Sequence, residues 1–194
     1  MKRPHFIVLA TTLLLSAGAQ AQIVNIDSSH GFTYDGGGSD PAPVAGEHIN
    51  LIGTPVQLTL GPGTYEIANA AGLSGANFDA WSFNVGTSSW AWAFVVADDA
   101  THDVVLYGQA GSVESSEAAV AANPGVKGFK TSFALASTTT LDFTLRDYYV
   151  ADNAGGISLR VTSVPEPDTA VMLGVGLAAM LLGRRLTRRA PKVG

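Results

Sequence analysis

The stretch LDFTLRDYYVADNAGGISLRV, residues 141–161, contains two runs in which apolar residues occupy every second position. The apolar positions are Leu141, Phe143 and Leu145 in the first run and Ile157, Leu159 and Val161 in the second. Successive side chains of a β-strand point to opposite faces of a sheet, so this period predicts two strands that each bury one face. The asparagine and glycines between the runs predict a loop.

Similar short segments recur along residues 56–145, separated by Gly, Pro, Asn and Asp at fairly even spacing. They are residues 56–60, 65–67, 81–83, 90–96, 103–107 and 129–135. About eight short strands with such turns predict an all-β fold, specifically a jelly-roll-like antiparallel β-sandwich. Gly61-Pro62-Gly63 predicts a hairpin turn between the first two segments. One short helix is expected at residues 117–122, capped by Ser115 or Ser116 and stopped by Asn123-Pro124-Gly125.

The charge is distributed unevenly along the chain. The net charge is −5, but residues 22–164 hold fourteen acidic and four basic residues, a net of −10. Such a domain is expected to repel nucleic acid and anionic membranes and to attract divalent cations. The alternative is that the negative charge only keeps an exported protein soluble. The chain has no cysteine, which excludes disulfides and thiolate catalysis.

The N-terminus has the pattern of a secretory signal peptide. Met1-Lys2-Arg3 is positive, residues 6–15 are apolar, and Ala19 and Ala21 are small residues at the positions that signal peptidase reads. We expect a signal helix that signal peptidase removes after Ala21. The alternative is a permanent anchor, for which the apolar run is short.

The C-terminus combines three elements in order. Val164-Pro165-Glu166-Pro167 ends the last predicted strand, residues 169–183 are uncharged and mostly apolar, and Arg184, Arg185, Arg188 and Arg189 follow. An apolar run followed by arginines predicts a transmembrane helix whose basic end stays in the cytoplasm. Its length is marginal for a span, which suits a transient anchor, and the alternative is an ordinary single-pass anchor.

The tail resembles the PEP-CTERM sorting signal. The resemblance implies that Val164, Pro165, Glu166, Pro167, Arg184 and Arg185 form a sorting motif, that an exosortase removes the tail, and that the protein is exported by a Gram-negative bacterium that makes extracellular polysaccharide. We therefore divide the chain into a signal peptide at 1–21, a β-sandwich at 22–163, a sorting signal at 164–189 and a tail at 190–194. Membrane contact is expected only through the C-terminal segment.

The loop between the two strands of residues 141–161 is the candidate metal site. Asp147, Asp152 and Asn153 offer oxygen donors, which calcium prefers, and the remaining ligands would come from another loop or from water. The segment resembles the last hairpin of calcium-dependent galactose-binding lectins, which implies calcium at these three residues. The alternative is a plain hairpin turn at residues 152–156.

Aromatic residues on the strands are candidates for sugar contacts. Trp90 is the expected carbohydrate platform, whereas Trp81, Trp92 and Tyr65 fit the core better because apolar neighbours surround them at period two. Asp98, Asp99, His102 and Asp103 predict a solvated turn. No catalytic motif is present, so we expect a polysaccharide-binding or matrix-organising protein of biofilm at the cell surface or outside the cell; the alternatives are a secreted glycan-active hydrolase and a purely structural surface protein.

Overall fold

The computed structural model describes residues 21–39 and 41–165, together with residues 174, 176, 177 and 180. In this part of the chain antiparallel strands dominate, and the predicted all-β class is confirmed. The strands are β1 (Gln22–Asp27), β2 (Gly31–Thr33), β3 (Asn50–Ile52), β4 (Val56–Leu60), β5 (Gly63–Asn69), β6 (Trp81–Ser82), β7 (Trp90–Ala91), β8 (Ala93–Asp98), β9 (Val104–Gln109), β10 (Lys130–Leu135), β11 (Thr139–Leu145) and β12 (Ala154–Val164).

Two sheets and one ribbon contain these strands. In the larger sheet the long strand β12 pairs with β1, β5 and β6, while β10 pairs with β5 and β7 with β6. The smaller sheet has the order β4-β11-β8-β9. The ribbon is formed by β2 and β3.

The main core lies between the two sheets, as the alternating apolar residues predict. Ile67, Ile157 and Leu159 of the larger sheet join Phe94, Leu141 and Phe143 of the smaller sheet in one buried cluster. Burying a large aliphatic or aromatic side chain contributes about 1.5–3 kcal/mol, so this cluster is the main source of stability.

A second, smaller core covers the opposite face of the smaller sheet. Phe32 of β2 and Ile49, which precedes β3, pack against Val95, Ala97 and Val104. Strand β8 therefore has residues buried on both faces, and the polar residues Asp142 and Thr144 of β11 are buried as well. The ribbon and β1 were absent from the sequence-based prediction.

The predicted hairpin at Gly61-Pro62-Gly63 is wrong, and so is the alternative of a plain hairpin turn at residues 152–156. Strands β4 and β5 lie in different sheets, so Gly61-Pro62-Gly63 carries the chain across the sandwich. In the same way, residues 146–153 lead from β11 in one sheet to β12 in the other. The physical reason is that two half-buried strands can bury their apolar faces against each other across a core as well as side by side, and short turn sequences do not choose between these arrangements.

The predicted helix is present and has a short neighbour. In α1 (Glu117–Ala122) the hydroxyl of Ser116 accepts a hydrogen bond from the Ala119 amide at 3.2 Å. Asn123 ends this helix and also caps α2 (Pro124–Lys127), where its Oδ1 accepts from the Gly125 amide at 2.9 Å. Proline has no amide hydrogen, and the first residue of a helix does not need one. Pro124 can therefore follow Asn123 directly as the first residue of α2.

The strands next to the two predicted processing sites are adjacent. Strand β1 begins at Gln22, directly after the predicted cleavage site, and β12 ends at Val164, where the predicted sorting motif begins. The predicted signal helix lies outside the described residues, and so does most of the predicted transmembrane helix, of which residues 174, 176, 177 and 180 are described and helical. Within the described part of the chain, no helix is long and apolar enough to cross a membrane.

Candidate functional site

The loop that leads from β11 to β12 is held against two other loops. The backbone oxygen of Asp147 accepts from the Phe32 amide at 2.8 Å, and that of Asp152 accepts from the Val85 amide at 2.9 Å. The side-chain amide of Asn153 donates to the Ser28 oxygen at 3.2 Å. The predicted calcium residues therefore lie on a loop that is fixed in place by the β1–β2 turn and by residues 83–89.

The oxygen atoms of this loop fit part of a calcium site. Oδ1 of Asp152 and Oδ1 of Asn153 are buried and have no hydrogen-bond partner among the described residues, and Asp147 is 5% exposed. Buried oxygens without donors are what a hard cation neutralises. No group of three or more His, Cys, Asp or Glu side chains is arranged for a metal in the described part of the chain, so amide oxygens, carbonyls or water would have to complete the set. Calcium stays a prediction.

Asp27, at the same end of the sandwich, is already committed to other partners. Its Oδ1 accepts from the amide and the hydroxyl of Ser29, at 2.8 and 2.5 Å, and lies 3.0 Å from Nδ1 of His30. Burial raises the pKa of Asp27, but the hydrogen bonds from Ser29 and the nearby His30 outweigh it, and the net pKa is lowered. This carboxylate therefore organises the turn that receives Asn153.

The predicted carbohydrate platform, Trp90, is partly exposed. Its backbone exchanges hydrogen bonds with Glu114, and a side chain added at Gly155 would come within 3.1 Å of its ring. Trp81, Trp92 and Tyr65, in contrast, are between 1% and 9% exposed and lie in the main core. Trp90 is thus the least buried of the three tryptophans, although it also packs against the main core.

Other exposed aromatic residues near the calcium loop were missed by the sequence reasoning. Tyr148 and Tyr149 lie within the loop and are 44% and 59% exposed. Phe83 is 37% exposed and lies two residues before Val85, whose amide donates to the Asp152 oxygen. We call Phe83, Trp90, Tyr148 and Tyr149 the aromatic end. The signal that would have found it is the pair of adjacent tyrosines, because adjacent side chains of an extended segment point to opposite sides and cannot both face the same core.

The comparisons with known proteins concern the C-terminus. The model of the PEP-CTERM protein-sorting motif matches residues 163–189. No curated protein and no solved structure matches the chain. The matched range begins at the last two residues of β12 and includes the six residues predicted to form the sorting motif, Val164, Pro165, Glu166, Pro167, Arg184 and Arg185. The chain therefore carries a PEP-CTERM sorting motif, which marks an exported surface protein of Gram-negative bacteria that is sorted by an exosortase.

Proposed function

We propose that the β-sandwich binds or organises extracellular polysaccharide at the cell surface or in the biofilm matrix, after signal peptidase and exosortase have removed the two ends. The observation that carries this proposal is the sorting motif at residues 163–189, since it delivers the domain to the surface where such polymers lie. Until its removal the C-terminal segment would hold the protein transiently in the inner membrane.

The aromatic end supports the choice of ligand. Aromatic rings present flat apolar faces, and exposed aromatic rings are candidates for an interaction site. The flat apolar face of a sugar ring matches such a surface. The net charge of −10 over residues 22–164 disfavours nucleic acid and anionic lipid as the partner.

Retention on the producing cell's own polysaccharide tests this function. The purified protein is expected to be retained on the immobilised polymer, and Tyr149→Ala and Trp90→Ala are expected to weaken retention several-fold because each removes a stacking surface. Val44→Ala, which removes a side chain that is 68% exposed outside the aromatic end, is the matched control and is expected to change nothing. Equal retention of all variants would refute the role of the aromatic end, and no retention of the native protein would refute polysaccharide binding.

The alternative function is glycan hydrolysis, and we propose that the protein is not an enzyme. The proposal is supported by the lack of a recognisable catalytic motif in the sequence. Incubating the protein with the same polymer and measuring reducing ends separates the two functions. Release of reducing ends that grows with time would establish the hydrolase, whereas retention without release supports a binding protein.

A further inference from the structure

The last three residues of β12 are held differently from the rest of this strand. We call Thr162, Ser163 and Val164 the terminal segment of β12. All three pair with β5. On the other side of β12 the neighbouring strand β1 reaches only to Gln22, which lies opposite Val161. Within the described ranges the terminal segment is therefore paired along one side only, whereas Val161 is paired along both.

Removal of the signal peptide keeps this second side open. The cleavage that we propose after Ala21 makes Gln22 the first residue of the chain. No residue then precedes β1 that could extend this strand along the terminal segment. The two processing sites thus concern the same edge of the larger sheet.

The burial of β12 also ends at Val161. This residue is 2% exposed and belongs to the main core. Thr162 and Ser163 are partly exposed, and Val164 is 42% exposed. Strand ends with few buried contacts open at a much lower free energy than the core does. The terminal segment can therefore leave β5 while the rest of β12 stays in place.

The sorting motif begins inside the terminal segment. The matched range starts at Ser163, and Pro165, which is exposed, directly follows the last paired residue. Ser163 and Val164 thus belong both to the sheet and to the matched range, and no spacer separates the two.

Strand β5 and a sorting enzyme therefore compete for the same stretch of backbone. Paired strands lie about 4.8 Å apart, so β5 occupies the space directly beside the terminal segment. An extended peptide that another protein binds forms its main-chain hydrogen bonds with that protein. An enzyme that surrounds the start of the matched range has to displace β5 from it.

We propose that the terminal segment separates from β5 when the sorting enzyme binds the motif, and that this separation limits the rate at which the tail is removed. The proposal rests on the proposed removal of the tail by exosortase. Separation ends at Val161, because that residue is buried and paired on both sides. The larger sheet thus stays folded while its last three residues open.

A disulfide across the terminal segment tests the proposal on the full chain in its native cell. Val164 lies opposite Thr64 on β5. Opposite residues of antiparallel strands have Cα atoms about 4.5–5.5 Å apart, which is within the range of disulfides. Because the chain has no cysteine, Val164→Cys combined with Thr64→Cys can form one intramolecular disulfide, which persists in an oxidising compartment.

The rate of tail removal is the quantity to measure, by pulse labelling and mass spectrometry of the C-terminus. It is expected to be at least about tenfold lower in the oxidised double variant, because the cross-link prevents the local opening. Dithiothreitol should restore the native rate. Val164→Cys alone should be processed at the native rate, which shows that the enzyme accepts the substitution itself.

Two further variants separate this opening from other effects of a cross-link. Thr59→Cys combined with Thr140→Cys places a disulfide in the smaller sheet, where the two native hydroxyl oxygens are 2.8 Å apart. This control is expected to change the rate less than about twofold, since it does not touch β12. Six Gly and Ser residues inserted between Val164 and Pro165 span up to about 20 Å and should restore tail removal in the oxidised Val164–Thr64 variant.

Every outcome of these measurements decides the proposal. Tail removal at the native rate in the oxidised double variant would overturn it. So would a loss of removal that neither dithiothreitol nor the inserted spacer reverses, or an equal loss in the control disulfide. A native chain that keeps its tail would refute the proposed removal itself, whereas native removal with an unaffected double variant overturns the separation step alone.

Discussion

Replacing Asp142 by asparagine should stabilise the protein at neutral pH. Asparagine has the shape of the aspartate and keeps an oxygen that can accept from Gln57 Nε2, but it carries no charge. Oδ2 of Asp142 is buried and has no hydrogen-bond partner among the described residues. A buried polar group without a partner costs about 1–3 kcal/mol, and more when it is charged. We therefore expect Asp142→Asn to raise the free energy of unfolding by about 1 kcal/mol or more, which corresponds to about 3 °C in Tm for each kcal/mol.

The sign of the pH dependence follows from the raised pKa of Asp142. Desolvation by burial raises the pKa of Asp142 above its ordinary value of 3.8, so the folded protein holds this proton to higher pH. Its contribution to stability is complete below the ordinary pKa and is lost as the pH rises through the raised one. The difference between Asp142→Asn and the native protein should therefore be present at pH 7 and should disappear near pH 3.

Urea denaturation followed by tryptophan fluorescence measures this difference at both pH values. Asp79→Asn is the control, because Asp79 is exposed and its replacement is expected to change the free energy of unfolding by no more than about 0.5 kcal/mol. If Asp142→Asn were destabilising at pH 7, or equally stabilising at pH 3 and pH 7, the buried charge would not be the cause and the reasoning would be wrong.

Three further predictions concern the aromatic end, the calcium loop and the tail. Gly155 has a φ of +78°, and a Cβ there would lie 2.5 Å from the Ala80 oxygen. Gly155→Ala should therefore lower the free energy of unfolding by about 2–4 kcal/mol, as measured by urea denaturation. The control is Gly37→Ala, where space is open and φ is not positive, and it should lower the free energy of unfolding by less than about 1 kcal/mol. Millimolar calcium should raise the Tm of the native protein and not that of a variant with both Asp152→Asn and Asn153→Ala; an equal Tm with and without calcium would end the calcium hypothesis. Mass spectrometry of the protein from its native cell should find an N-terminus at Gln22 and a C-terminus near Pro165-Glu166-Pro167, and a chain that still ends at Gly194 would contradict removal of the tail.

Local alternation was enough to predict most of the strands that face the main core. The apolar residues of β4, β11 and β12 recur at every second position, and each of these strands is present. The ribbon strands β2 and β3 have three residues each, which is too short for a period to be recognised. The pairing of strands was also beyond reach, because the partner of β4 is β11, about eighty residues away along the chain.

The burial of Asp142 was missed for a related reason. Asp142 alternates with Leu141 and Phe143, which is typical of a residue that faces solvent. A distant ribbon covers that face, and the alternation within β11 contains no information about it. One signal was present, since Phe94, Val95, Val96 and Ala97 form a continuous apolar run, and such a run indicates a strand that is buried on both faces. The calcium loop was located from sequence, but the loops that hold it in place were not.

Removal of both ends should leave the stability of the β-sandwich unchanged. Strands β1 and β12 are antiparallel neighbours, and Gln22 lies opposite Val161. The start of β1 and the end of β12, where the two predicted processing sites lie, are therefore at the same end of the larger sheet. No pairing described for β12 extends beyond Val164, which pairs with Thr64 of β5.

A series of truncations checks this separation between fold and sorting signal. A chain of residues 22–165 should match the full-length protein within about 0.5 kcal/mol in urea denaturation, since no strand pairing is removed. A chain that ends at Ser158 loses the part of β12 that pairs with β5 and should not fold, because the central strand of the larger sheet is cut. If the chain of residues 22–165 were itself unstable, the tail would be part of the fold, and an exosortase could not remove it without unfolding its substrate.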